Sequence, residues 1–225
     1  MRSEHAPRLR GLYAVTPGIA DTGVLVARVE AALAGGAAMI QYRAKDAPRA
    51  LAIAQARRLA ALCRGHGVPL IVNDSVELAL EAGADGVHLG RDDGDAREAR
   101  RRMPHAILGV SCYADPERAR VAASAGADYV AIGSVFASST KPGAVRAPLE
   151  LLAHAREAAG LPVVAIGGIT PANAPQAIAA GADMVAVINA VFDAPDVRAA
   201  AAQFARLFDT TTTGNRDARA QPRAV

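Results

Sequence analysis

Three long polar side chains, Gln41, Arg43 and Lys45, stand at every second position behind the apolar entry Met39-Ile40. On a strand that spacing sends all three to one side, with their donors converging where the strand ends. A forked guanidinium, a compact ammonium and an amide held together suit a phosphate or diphosphate better than a single carboxylate. The alternative is an ordinary solvated strand end. Further along, Asn73-Asp74 and Gly90-Arg91-Asp92-Asp93 each follow a short apolar run. If those runs are neighbouring strands, Asp74 and Asp93 can meet, and two hard oxygen ligands beside cations point to Mg²⁺ bridging a phosphate-rich substrate. Asp74 could instead cap a helix beginning near Val76, and Asp92 and Asp93, which spacing does not separate, could solvate a turn. His88 reads first as a hydrogen-bonded core histidine and second as a base.

A second anion site is written in backbone and hydroxyls. Gly167-Gly168, just ahead of a helix expected from Pro171, offers bare N–H groups to a phosphate. Ser138-Ser139-Thr140-Lys141 adds hydroxyl donors and a cation on a segment that either closes over a ligand or is a plain turn. No Cys or Ser stands beside a His base, and no glutamate follows any of the apolar runs. The inventory fits departure of a phosphate leaving group under electrostatic help, with no protein nucleophile.

The elements that must position these groups alternate strictly. Strands are expected at Gly11–Val15, Met39 onward, Pro69–Val72, Asp85–Leu89, Ala106–Val110, Asp128–Ile132, Pro162–Ile166 and Met184–Ile188. Helices are expected at Val24–Leu33, Pro48–Arg64, Val76–Glu81, Asp95–Arg102, Pro116–Ser124, Pro148–Ala159, Pro171–Ala180 and Asp196–Phe208. Eight βα units with short connections imply parallel strands and right-handed crossovers that close into a (β/α)8 TIM barrel of the α/β class, whose site lies at the strand exits. A recurring Gly-Ala pair before the even-numbered strands, at Gly36, Gly83, Gly126 and Gly181, supports the closure. Asp85, Asp128 and Asp183 then sit at strand starts, where turn chemistry is expected of them rather than catalysis. An open doubly wound sheet is the alternative, but no GxGxxG follows the first strand.

The 225 residues therefore divide into a flexible 1–9, a single barrel domain over 10–208, and a polar, disordered tail over 209–225. A net charge of +3, four Phe, four Tyr and no Trp give little for bases to stack on, so no nucleic-acid partner is expected. No leader-like segment or long apolar run is present, and Cys63 and Cys112 read as buried free thiols, so a cytoplasmic protein without membrane contact is expected. The oligomeric state is left open.

Taken together, QYRAK at 41–45, VNDS at 72–75, GVHLGRDD at 86–93, LGVS at 108–111, STK at 139–141 and AIGGIT at 165–170 resemble thiamine phosphate synthase, also called thiamine-phosphate pyrophosphorylase. The resemblance covers residues 11 to 208 and implies a TIM-barrel transferase acting on small molecules. It would condense 4-amino-5-hydroxymethyl-2-methylpyrimidine diphosphate with hydroxyethylthiazole phosphate, plain or carboxylated, by Mg²⁺-assisted dissociative substitution. By position, it implies Gln41, Arg43, Lys45, Asn73, Ser111 and Lys141 as contacts of the pyrimidine diphosphate, with Arg43, Lys45, Lys141 and Ser111 catalytic. It implies Asp74 and Asp93 as Mg²⁺ ligands, and Ser138, Thr140, Gly168, Ile188 and Asn189 as the thiazole phosphate site. Three positions depart from the family pattern: Arg91 for a frequent glutamine, Ser134 for a proline, and Asn189 for a serine. A thiazole tautomerase of the same barrel and a non-catalytic sensor of thiamine precursors are the rival readings.

Overall fold

The structure, a computed structural model, describes residues 9–137, 143 and 145–213. Eight strands, β1 (Gly11–Val15), β2 (Ala37–Tyr42), β3 (Leu70–Asn73), β4 (Gly86–Leu89), β5 (Ile107–Tyr113), β6 (Tyr129–Gly133), β7 (Val163–Ile166) and β8 (Met184–Val187), close into a barrel in chain order. Every neighbouring pair is parallel, including β1 with β8, which rules out the open sheet. The crossovers carry α1 (Thr22–Ala34), α2 (Arg49–Gly65), α3 (Val76–Ala82), α4 (Ala96–Arg102), α5 (Pro116–Ser124), α6 (Glu150–Ala159) and α7 (Ala174–Ala179). After β8 come a one-turn α8 (Asn189–Phe192) and the closing α9 (Val197–Thr213).

Four helices begin the way their sequences require. Asp21, Ser75, Asp95 and Asp115 cap α1, α3, α4 and α5 by accepting backbone N–H bonds that the first turn cannot satisfy internally. At the strand starts, turn chemistry is what the three repeat aspartates perform. Asp85, Asp128 and Asp183 accept from the N–H of Leu70, Leu108 and Val163 at 2.8, 2.9 and 2.9 Å, each tying one strand to the start of its neighbour. Arg100 and Arg156 then pair with Asp128 and Asp183.

Four expectations need correction. β2 stops at Tyr42, so Arg43 and Lys45 belong to the loop that follows rather than to the strand. α7 starts at Ala174, not Pro171, because the intervening residues form turns held by Asn173, whose side-chain oxygen accepts from the Thr170 N–H at 2.8 Å. α8 was not expected at all, and Asn189 is its first residue instead of a strand-exit residue. The closing helix runs past Phe208 to Thr213, five residues into the segment expected to be disordered.

Period-two alternation divides the core. Outward-facing strand residues such as Leu12, Ile40 and Val185 pack under the helices, while Tyr13, Met39, Ile71, Tyr129, Val164 and Met184 fill the barrel interior. Along the inward-facing positions the chemistry changes from bottom to top: Met39 gives way to Gln41, Ile71 to Asn73 and Gly109 to Ser111. The floor of the barrel is therefore oily and its mouth polar. Cys63 and Cys112 are buried free thiols, and burial pushes both up to about 12, so neither is a nucleophile at neutral pH. Among the described residues no helix is long and apolar enough to cross a membrane.

Candidate active site

A cavity of about 890 Å³ opens at the C-terminal mouth. On one side it is lined by Gln41, Arg43, Lys45, Asn73, Asp74 and Asp93, with Ser111 beside them; on the other by Gly168, Ile188 and Asn189. Sequence positions from six strand exits thus meet in one space. Ser138, Thr140 and Lys141 lie outside the described residues.

Although Arg43 is beyond β2, it is not loose. Its backbone N–H donates to the Thr16 hydroxyl at 2.9 Å, and Thr16 in turn donates its own N–H to the Gln41 carbonyl at 2.8 Å. Thr16 is fully buried, so the exits of β1 and β2 are stitched together where the cationic residues begin. Nearby, Gln55 of α2 accepts from the Tyr42 hydroxyl at 2.8 Å and donates to the Ile19 carbonyl at 2.9 Å, fixing the β1–α1 loop against the same corner.

Asp74 does not cap α3; Ser75 does, accepting from the Leu78 N–H at 3.1 Å. Asp74 is instead held at φ 67°, a left-handed conformation that aspartate tolerates better than most residues. There its carboxylate sits 3.5 Å from Lys45 Nζ and in contact with Asp93. Asp93 is oriented by the Gly90 N–H, which donates to its Oδ2 at 2.8 Å, whereas Asp92 is exposed. Burial first, and then the Asp93 carboxylate, hold Asp74 above the usual carboxylate range, with Lys45 pulling the other way. Two carboxylates forced together beside a lysine are a donor set that a divalent cation would relieve. Among the described residues they are joined by no third acidic, His or Cys ligand, so such an ion would complete its shell with water and ligand oxygens.

On the opposite side Gly167 and Gly168 turn the chain at φ 103° and 63°. A Cβ on Gly168 would strike the Ala137 carbonyl, so the tight approach of these two loops needs glycine. Asn189 donates through Nδ2 to Asp193 Oδ2 at 2.6 Å within its own short helix. Arg91 stands at the rim with its guanidinium 4.8 Å from the Tyr113 ring centroid, and its N–H donates to the Tyr113 hydroxyl at 3.1 Å. Tyr113 stacks Arg118 as well, at 5.7 Å.

Sequence reading missed the aromatic residues of the cavity floor. Tyr13 lines the cavity, and the Tyr13 and Tyr129 hydroxyls lie 2.8 Å apart in the buried interior. The signal available was their inward register, Tyr13 two residues before Val15 and Tyr129 two before Ala131, but a tyrosine at such a position reads as core. His88 is the hydrogen-bonded core histidine of the first reading: its Nδ1 and Nε2 contact Tyr129 and Ser111 at 3.0 and 2.8 Å. Burial lowers its pKa to about 4, with Asp93 opposing weakly. Because that lies below the ordinary 6.5, the unfolded chain takes up the proton first as pH falls. The stability contributed by neutral His88 is complete above about pH 6.5 and is lost progressively toward pH 4, about 3 kcal/mol in all. Urea midpoints in metal-free buffer are expected to fall over that window, and His88→Gln is expected to flatten much of the fall. An equally steep profile in the variant would remove His88 as its origin.

Comparison with known proteins gives a consistent result. Residues 12–191 match the family described as thiamine monophosphate synthase. The chain is 59% identical over 203 residues to the thiamine-phosphate synthase of Aromatoleum aromaticum, covering 90% of this chain and 98% of that one. It is 60% identical over 199 residues to that of Thiobacillus denitrificans, covering 88% and 94% respectively. Among solved structures, thiamine phosphate pyrophosphorylase from Pyrococcus furiosus superposes with a TM-score of 0.81 at 37% identity, over 91% of this chain and 98% of that one.

Proposed function

This chain belongs to the thiamine monophosphate synthase family and is a transferase of thiamine biosynthesis acting on small molecules; from that membership we propose its substrates, its metal and the roles of its residues. The substrates are 4-amino-5-hydroxymethyl-2-methylpyrimidine diphosphate and hydroxyethylthiazole phosphate or its carboxylated form, and the products are thiamine phosphate and diphosphate. The observation that carries this reading is the division of one mouth into a cationic and carboxylate side, at Arg43, Lys45, Asp74 and Asp93, and a backbone side at Gly168.

In the reaction the bond between the pyrimidine methylene and the diphosphate oxygen breaks, with its electron pair leaving on diphosphate. The thiazole nitrogen then gives its lone pair to the methylene carbon. Arg43, Lys45 and Lys141 hold the diphosphate and match the charge that grows on it, which is where preorganised cations accelerate most. Asn73 and Gln41 orient the pyrimidine half, and Ser111 adds a hydrogen bond at its edge. Gly168, Ile188 and Asn189, with Ser138 and Thr140, seat the thiazole phosphate so that its ring nitrogen faces the methylene. Asp74 and Asp93 would hold Mg²⁺, which when bound supplies further charge neutralisation to the departing diphosphate. The apolar barrel below, from Val15 to Val164 and Ala186, keeps water from the cationic carbon.

The test is to mix the protein with both substrates, with and without Mg²⁺, and to oxidise the product to fluorescent thiochrome. Mg²⁺-dependent thiochrome is expected. No product while both substrates bind would overturn the reading in favour of a sensor or a tautomerase.

A further inference from the structure

A line of buried hydrogen bonds crosses the barrel beneath the cavity, and its central members have no part in the chemistry described above. Gln41 Nε2 donates to the Tyr13 hydroxyl at 2.6 Å, which lies 2.8 Å from the Tyr129 hydroxyl. That hydroxyl is 3.0 Å from His88 Nδ1, and His88 Nε2 is 2.8 Å from Ser111 Oγ. Residues of β2, β1, β6, β4 and β5 are thereby joined through the interior. Tyr13, Tyr129 and His88 are 1%, 0% and 6% exposed, so bulk water does not satisfy these groups and the line must satisfy itself.

Counting protons couples its links, and the Gln41 amide sets their direction. Each hydroxyl owns one proton and the neutral imidazole owns one N–H. With the Gln41 amide nitrogen donating to Tyr13, the Tyr13 proton goes to Tyr129 and the Tyr129 proton to His88 Nδ1. His88 then carries its own proton on Nε2 and gives it to Ser111 Oγ. The Ser111 proton is left for the cavity, and Gln41, whose nitrogen is engaged below, presents its carbonyl oxygen there. Turning the Gln41 amide over reverses every link, so that Gln41 donates to the cavity, His88 carries its proton on Nδ1, and Ser111 spends its proton on His88. A mixed arrangement strands a buried proton or sets two against each other. The hydrogen-bonding senses at the two ends are therefore opposite and coupled.

We propose that Tyr129 and His88 are positioning residues of a polarity relay that makes Ser111 a donor to the bound heterocycle while Gln41 is an acceptor. The inference rests on the substrate reading above only for the identity of that heterocycle; the direction of the relay belongs to the protein itself. A ring edge with an amino donor and a ring-nitrogen acceptor fits this polarity. Its oxo counterpart, an acceptor beside an N–H donor, presents the reverse.

Two measurements decide it. In the ligand-free protein labelled with ¹⁵N-histidine, long-range ¹H–¹⁵N correlation is expected to show His88 protonated on Nε2, its signals assigned by their loss in His88→Gln. Protonation on Nδ1 would overturn the proposal, and the tautomer is read on the parent protein. Titration calorimetry with the aminopyrimidine diphosphate and its 4-oxo analogue is expected to show a preference for the amino form of about 100-fold. Tyr129→Phe, which keeps the ring and removes the relay, is expected to cut that preference to about tenfold or less. An unchanged preference in a folded variant would overturn it. If neither pyrimidine binds, the substrate reading fails, while the tautomer still decides the relay.

Discussion

Asp74→Asn is expected to lower kcat/KM by roughly 10²- to 10³-fold while making the metal-free protein more stable at neutral pH. Asparagine is nearly isosteric and accepts the left-handed conformation at φ 67°, so the backbone at the β3 exit is kept. What changes is charge. Asp74 is held above the usual carboxylate range by burial and by Asp93, so the folded protein keeps this proton to higher pH than the unfolded chain does. As pH rises through the unfolded value of about 4 toward the folded one, the ionised carboxylate becomes a cost to the fold, and that cost persists at pH 7. Asparagine removes it. The lost pair with Lys45, half exposed at 3.5 Å, offsets at most about 1 kcal/mol. The net rise in Tm is expected to be on the order of 1–3 °C. Inorganic diphosphate with Mg²⁺ is expected to raise the Tm of the parent protein and to leave that of Asp74→Asn almost unmoved, a readout independent of turnover. A variant that is less stable without metal, or that keeps Mg²⁺-dependent turnover, would contradict the carboxylate assignment.

Gly109→Ala is expected to be a strongly damaging single-methyl change in the interior. The new Cβ would lie inside the contact radius of the Tyr129 ring and hydroxyl and 2.6 Å from His88 Nδ1. Both neighbours are buried and hydrogen-bonded, so neither can retreat without breaking the line between Tyr13 and Ser111. Overpacking of this severity costs roughly 3 kcal/mol or more, about 6–12 °C in Tm for a chain of this size. Folded material should also be catalytically impaired, because Tyr129 can be displaced only at the expense of His88. Gly65→Ala is the control: at the end of α2 its Cβ would meet nothing within 4 Å, so a change within about 1 kcal/mol, toward greater stability, is expected. Thermal unfolding of the two variants side by side is the measurement. Equal stability would mean that the interior accommodates the methyl.

Much of this protein is legible without coordinates because barrel architecture repeats a local pattern. β1 and α5 fall at the expected residues, and the other expected elements differ by a few residues at one or both ends, since helix and strand periods are properties of short stretches. The site residues were legible for the same reason. Once eight exits are placed, Gln41, Arg43, Lys45, Asn73, Asp74, Asp93, Ser111 and Gly168 must face one mouth, and a single cavity is where the described structure puts them. Where the reading failed, the deciding contact was remote. Arg43 and Lys45 follow β2 because Thr16, 27 residues upstream of Arg43, ends the ladder by taking the Arg43 N–H. Spacing alone did not separate Asp92 from Asp93, because Asp93 is set apart only by the turn in which it accepts from the Gly90 N–H.

By itself the sequence determined the α/β class, the eightfold count, the strand exits and the chemical types gathered there, because alternation, capping and glycine placement act over a few residues. Only the tertiary structure decided which carboxylates touch, how Arg43 is held, and how Gln41, Tyr13, Tyr129, His88 and Ser111 join across the floor. Those links span up to 116 residues of chain, as between Tyr13 and Tyr129. Their strength comes from burial, where a polar group must find a protein partner, and burial at the centre of a barrel exists only after all eight strands have closed.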